Sequence, residues 1–122
     1  MEEVRNRLKG REDITCKEAH QLASEYGIPP KEIGEILDDL NVKIVQCQLG
    51  LFGYGAKKKD VPFLEKVEEG LEEKIKRRLR EGRLRCLDAW EIADGYGLER
   101  KVIGGACDRL GIKIGHCQLG AF

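Results

Sequence analysis

One 39-residue stretch occurs twice in this chain, and that constrains the fold more than any other feature. Residues 14–52 and 84–122 align without a gap at an offset of 70, with 17 identities in 39 pairs. Cys16, Ala19, Ala23, Tyr26, Gly27, Lys31, Ile33, Gly34, Asp38, Leu40, Lys43, Ile44, Cys47-Gln48-Leu49-Gly50 and Phe52 all recur, the last set as Cys117-Gln118-Leu119-Gly120 and Phe122. Such self-similarity marks two copies of one supersecondary unit. In a chain of 122 residues each copy is at the lower edge of what folds alone, so the copies are expected to pack on each other.

Apolar spacing places the elements of each copy. Val4 and Leu8, four apart among charges, predict a short amphipathic helix over 2–10. A polar connection follows, with a very short strand at Ile14. Thr15-Cys16-Lys17-Glu18 reads as a capping box opening a helix that ends at Gly27. Pro29-Pro30 opens the next helix, whose buried stripe is Ile33, Ile36, Leu37 and Leu40 and which closes at Asn41. Val42 and Ile44 alternate as a strand. The alternation slips at Ile44-Val45, which predicts a bulge or bend. Glycines 50, 53 and 55 with Lys57-Lys58-Lys59 read as a flexible basic linker. A longer helix is predicted over 63–81, then the second copy as helix 86–96, helix 99–110 and strand 112–118.

Within each copy a small residue (Ala23, Ala93) stands four before a turn glycine (Gly27, Gly97). An apolar turn residue follows (Ile28, Leu98), and an isoleucine lies six after the glycine (Ile33, Ile103). This spacing suits two helices crossing steeply in close contact. With a short helix before and a strand after, each copy resembles a winged helix-turn-helix domain, and the resemblance covers nearly the whole chain as a tandem. It implies a DNA-associated regulatory role, although helix-turn-helix units also serve as protein-interaction modules. Gly34 and Gly104 match in mid-helix, where glycine costs about 1 kcal/mol relative to alanine. Close approach of another backbone, that of the partner copy, accounts for them.

Lys plus Arg and Asp plus Glu balance at 22 each, so no global field points to nucleic acid. The outward positions of the first copy's second helix (Lys31, Glu32, Glu35, Asp38, Asp39) are net acidic, which opposes contact with phosphates. In the second copy Arg100 and Lys101 are the candidate phosphate or guanine donors. From Lys74 to Arg85 seven cations face one Glu81. Lys74, Lys76, Arg77, Arg78, Arg80 and Arg83 therefore form a candidate phosphate-contacting ridge, with Lys57–Lys59 upstream. The competing reading is a solvated helix whose cations complement its C-terminal dipole.

Five cysteines, an odd number without CxxC pairs, do not suggest a disulfide framework. Cys16 and His20 are four apart on one helical face, and Cys47 could be a third metal ligand. His116, Cys117 and Cys86 would make a different set in the second copy. The two sets do not match between the copies, because Trp90 stands where His20 does and Gln46 where His116 does. Core packing of the cysteines is preferred. Packing also accounts for the CQLGxF ends, with the phenylalanine as an aromatic plug between copies. No nucleophile–base ordering or phosphate-binding loop supports an enzyme.

The expected fold is mainly α with short strands: two winged-helix-like repeats packed as a pseudo-twofold pair, divided as 1–52, linker 53–62 and 63–122 with a long leading helix. The expected function is non-enzymatic and DNA-associated, with double-stranded DNA as partner. The alternatives are a protein-interaction module and a metal- or thiol-dependent sensor. No cofactor or metal site is assigned. No apolar run approaches a membrane span and no signal peptide opens the chain, so a soluble, cytoplasmic protein is expected.

Overall fold

The computed structural model describes residues 2–122 and is mainly helical with four short strands. The order is α1 (Glu2–Leu8), β1 (Asp13–Thr15), α2 (Cys16–Tyr26), α3 (Pro30–Leu40) and β2 (Lys43–Val45). After a single 3-10 turn (Gly55–Lys57) come α4 (Glu69–Arg77), β3 (Arg83–Arg85), α5 (Cys86–Tyr96), α6 (Arg100–Leu110) and β4 (Lys113–Gly115). No described helix is long and apolar enough to cross a membrane.

The local signals act where their chemistry requires. The Thr15 hydroxyl accepts from the Glu18 amide at 3.0 Å while the Glu18 carboxylate accepts from the Thr15 amide, which closes the capping box on α2. Gly27 and Gly97 take the left-handed conformation at φ 64° and 67°, turning the chain sharply between the paired helices. In each copy the strand before the helix pair lies parallel to the strand after it: Ile14 opposite Ile44, Leu84 opposite Ile114. The slip after Ile44 is a bend, since Gln46 and its counterpart His116 have φ of 51° and 49°.

After that bend the chain does not fold back on its own copy. Leu119, in the last residues of the second copy, is buried in the core of the first with Val4, Leu8, Ile14, Ile33 and Leu37. Leu49, from the first copy, is buried in the core of the second with Ile75, Leu84, Ile92 and Ile103. The exchange runs through the two mid-helix glycines. The carbonyl oxygen of Leu119 lies where a Cβ on Gly34 would stand, and that of Leu49 where a Cβ on Gly104 would stand. Close backbone approach by the other copy is therefore what these glycines serve.

Residues that are equivalents of one another also touch. His20 stacks on Trp90 with ring centroids 4.3 Å apart, and Phe52 meets Phe122 edge-on at 6.0 Å. The two copies therefore meet in part through equivalent residues. Phe122 is 46% exposed and is not the expected plug; Phe52 is partly buried against the second core, and Leu49 and Leu119 are the fully buried tail residues.

The segment expected as a helix over 63–81 is helical only over Glu69–Arg77. Residues 59–65 are instead held against α6. The carbonyl oxygen of Pro62 occupies the space beside Gly105, Lys59 pairs with Asp108 at 3.2 Å, and Arg109 Nε donates to the Glu65 carbonyl at 3.0 Å. A helix there would forfeit these contacts. The expected flexible linker is thus a strap in its second half. At the other end Glu81 and Gly82, with φ of 51° and 78°, form a tight turn joining Arg80 to Arg83, which ends the helical run early.

The tail exchange makes a graded prediction. Leu119→Ala should destabilise the protein by about 2–5 kcal/mol. Gly34→Ala, which forces a Cβ into a carbonyl, should cost about 1–3 kcal/mol or more. Gly95→Ala, where the added Cβ meets nothing within 4 Å, should stabilise by up to about 1 kcal/mol. Urea denaturation of the three variants checks the order.

Candidate functional site

The basic stretch divides into three groups once its partners are seen. Lys76 and Arg77 pair one turn back with Glu72 (2.8 Å) and Glu73 (3.1 Å) on the exposed face of α4. Such exposed pairs are worth about 0.3–0.5 kcal/mol and leave the cations available to other anions. Arg78 binds both Asp88 and Glu91, and Arg85 grips Asp88 with contacts of 2.7 and 3.2 Å. Lys74, Arg80 and Arg83 are exposed and make no ion pair among the described residues. Arg83 lies opposite Lys113 in the β3–β4 register, so the tight turn presents Arg80, Arg83 and Lys113 together.

Asp88 is the residue the sequence reading missed. It is 1% exposed and is the one buried charged side chain among the described residues. Its counterpart is Glu18, so the Arg85–Asp88 pair takes the place of the Thr15–Glu18 capping box. Arg85 first, and then Arg78, hold the Asp88 carboxyl below its ordinary value, against its burial. The signal was present in the i, i+3 spacing of Arg85 and Asp88, but nothing local revealed that Arg78 would reach the same carboxylate.

Arg100 and Lys101, the other two candidate donors, are half-buried and engaged. The Arg100 guanidinium lies 3.7 Å from the Trp90 ring centroid and binds Asp94 at 3.0 Å. Lys101 pairs with Asp60 of the strap and sits over the Tyr54 ring. Beyond them α6 is closed off: Ile103, Gly104, Gly105, Ala106 and Cys107 are all buried, beneath Leu49 on one side and Pro62 on the other. The corresponding helix α3 keeps an open face, Lys31, Glu32, Glu35, Asp38 and Asp39, of which Asp39 alone is paired among the described residues, to Arg5 at 3.0 Å.

The Cys16–His20 pairing, weighed only as an alternative to core packing, is not made. His20 turns to Trp90, and burial, with the nearby charge of Arg100, pushes its imidazole down to about 4. The buried indole N–H of Trp90 has no hydrogen-bond partner among the described residues. Burial raises the Cys16 thiol to about 12, and Cys47, Cys86 and Cys117 are all close enough to add to the rise. Burial likewise raises Cys47 and Cys86, with Cys117 contributing to each. No three His, Cys, Asp or Glu side chains among the described residues converge to hold a metal ion.

Comparison of the chain with protein-family models, curated proteins and solved structures finds no match.

Asp88 gives the protein a specific response to acid. Its folded-state value is depressed, so the stability it contributes is complete above the ordinary value of 3.8 and is lost as pH falls through the lower folded value. Asp88→Asn should cost on the order of 2–3 kcal/mol at neutral pH, reduced from a fully buried pair because both guanidinium groups remain partly in water. The deficit should shrink below pH 4. Denaturation of both proteins between pH 7 and pH 2.5 checks this.

Proposed function

We propose that this chain is a non-enzymatic interaction module built on paired helix-turn-helix units, with the open face of α3 as its docking surface for a cationic protein segment. The observation that carries this reading is the charge at the end of α3. Asp38 and Asp39 stand in its last turn, which holds no cation. There they oppose the helix dipole: Asp38, without a partner among the described residues, at a cost of about 0.3–1 kcal/mol, while Asp39 is answered by Arg5 at 3.0 Å. Folding alone favours the reverse placement, and a Lys- or Arg-rich partner would offset that cost. The covering of α6 supports the same reading. Neither second helix then offers an open, cationic face to a DNA groove.

A fluorescent Lys/Arg-rich helical peptide should bind the protein at low salt. Replacing Glu32, Glu35 and Asp38 with Lys should weaken binding at least about tenfold, or about 1.4 kcal/mol. Replacing Glu68, Glu69 and Glu73 with Lys should have little effect. Equal losses for the two sets would mean non-specific attraction and would reject the docking face.

The unpaired cations at the Arg80–Arg83 turn favour a second reading, phosphate contact with duplex DNA within a tandem winged-helix regulator. Binding to a labelled mixed-sequence duplex, followed by anisotropy, should then weaken steeply with salt. Arg80→Ala with Arg83→Ala should reduce the salt slope by about 2. No binding at low salt would exclude this reading.

A further inference from the structure

The strap shows how one face of this fold holds a peptide. Residues 59–65 lie against α6 without forming helix or strand. Lys59 Nζ pairs with the Asp108 carboxylate at 3.2 Å, and the Asp60 carboxylate pairs with Lys101. The Asp60 amide donates to the Gly50 carbonyl at 2.8 Å. Val61 sits beside the two glycines, its Cγ1 3.1 Å from where a Cβ would stand on Gly104 and on Gly50. The seat therefore has two walls, the helix α6 and the exchanged tail that carries Gly50.

The residues of that seat recur on the other copy. Lys101, Gly104 and Asp108 have the counterparts Lys31, Gly34 and Asp38 on α3, and Gly50 has Gly120. The walls are assembled in the same way. The Leu119 carbonyl meets Gly34 as that of Leu49 meets Gly104, and Gly50 and Gly120 both turn at φ 78°. A groove lined by Leu37, Asp38, Leu119 and Gly120 runs between them. Gly50 is buried beneath the strap, whereas Gly120 is exposed, and a Cβ on it would meet nothing within 4 Å. Lys31 and Asp38 are exposed and make no ion pair among the described residues. Solvated charges of this kind add little to folding, so packing does not account for their recurrence. Two positions differ. Glu35 replaces Gly105, so its Cβ bars the approach that the Pro62 carbonyl makes to α6, and its carboxylate calls for a cation. Asp39 replaces Arg109, which removes the donor to the Glu65 carbonyl.

We propose that α3 and the second copy's tail form a seat for a non-helical segment of a partner protein whose residues run cation, carboxylate, β-branched residue, cation. The first cation pairs with Asp38 and the carboxylate with Lys31. The amide of the carboxylate-bearing residue donates to the Gly120 carbonyl, and the branched side chain lies beside Gly34 and Gly120. The second cation, at the place of Pro62, answers Glu35. The inference rests on the docking face assigned to α3 above and specifies the order of charges in its occupant. Lys31 is the distinguishing residue, because a ligand that is cationic throughout has no use for it.

The probe is a fluorescent peptide, Gly-Lys-Asp-Val-Lys-Phe-Leu, titrated with the full chain at low salt and followed by anisotropy. It should bind more tightly than a scrambled peptide of the same composition. Lys31→Glu makes the face more acidic yet should weaken the ordered peptide at least about fivefold, because its carboxylate loses a partner and meets a like charge. A peptide with Lys in place of the Asp should recover that loss on the Lys31→Glu protein. The Lys/Arg-rich helical peptide should bind Lys31→Glu as well as or better than the parent. Both positions are exposed, and circular dichroism checks that each variant is folded. Equal binding of ordered and scrambled peptides, or tighter binding of the ordered peptide by Lys31→Glu, would overturn the inference while the helical peptide still marks α3 as a docking face. Failure of every peptide to bind would overturn both. Dimerisation of the protein alone, abolished by Asp38→Lys, would assign the seat to a second copy's strap and overturn the partner named here.

Discussion

The contact of the Leu119 backbone with Gly34, and of Leu49 with Gly104, is the constraint on which the rest of the molecule depends. Each copy alone is two crossing helices, a short leading helix and a two-stranded parallel ladder, with a core missing one large side chain. The other copy's tail supplies that side chain. Close approach requires a helix surface without a Cβ, and the two glycines provide it at equivalent places. Once both tails cross, the copies cannot separate without opening both cores. The contacts of His20 with Trp90 and Phe52 with Phe122 lie between the same two copies.

The second copy has diverged from the first in the treatment of charge. Where the first closes α2 with a neutral hydroxyl and an exposed carboxylate, the second buries Asp88 between two arginines. Where the first leaves α3 open and acidic, the second covers α6 with the strap through Pro62, aided by Gly105 and the Lys101–Asp60 pair. A structural repeat thus carries unlike surfaces. Among the described residues, Glu32, Glu35 and Asp38 on α3 make no ion pair, and neither do Arg80 and Arg83 at the tight turn.

Much of this was legible locally. The Thr15–Glu18 capping box, the Gly27 and Gly97 turns, the buried stripe of α3 and the close-approach role of Gly34 and Gly104 follow from short-range rules. Such rules concern hydrogen bonds and contacts within a few residues. The end of α4 was not legible: Leu79 and Leu84 continue an apolar pattern through the Arg80–Arg83 turn, and Pro62 and Glu65 gain more from α6 than from a helix of their own. The split of the basic stretch between solvent and Asp88 was hidden for a similar reason. A guanidinium side chain reaches partners ten or more positions away, and spacing does not record them.

The amino-acid pattern alone established two copies of one helical unit, their element order and the need for a close backbone approach at two glycines, because repetition, periodicity and capping are properties of neighbouring residues. The direction the tails take after Gln46 and His116 was decided by tertiary packing. So were the covering of α6 and the burial of Asp88. Each depends on where a segment finds apolar surface and hydrogen-bond partners far along the chain, and that balance exists only once the two copies have come together.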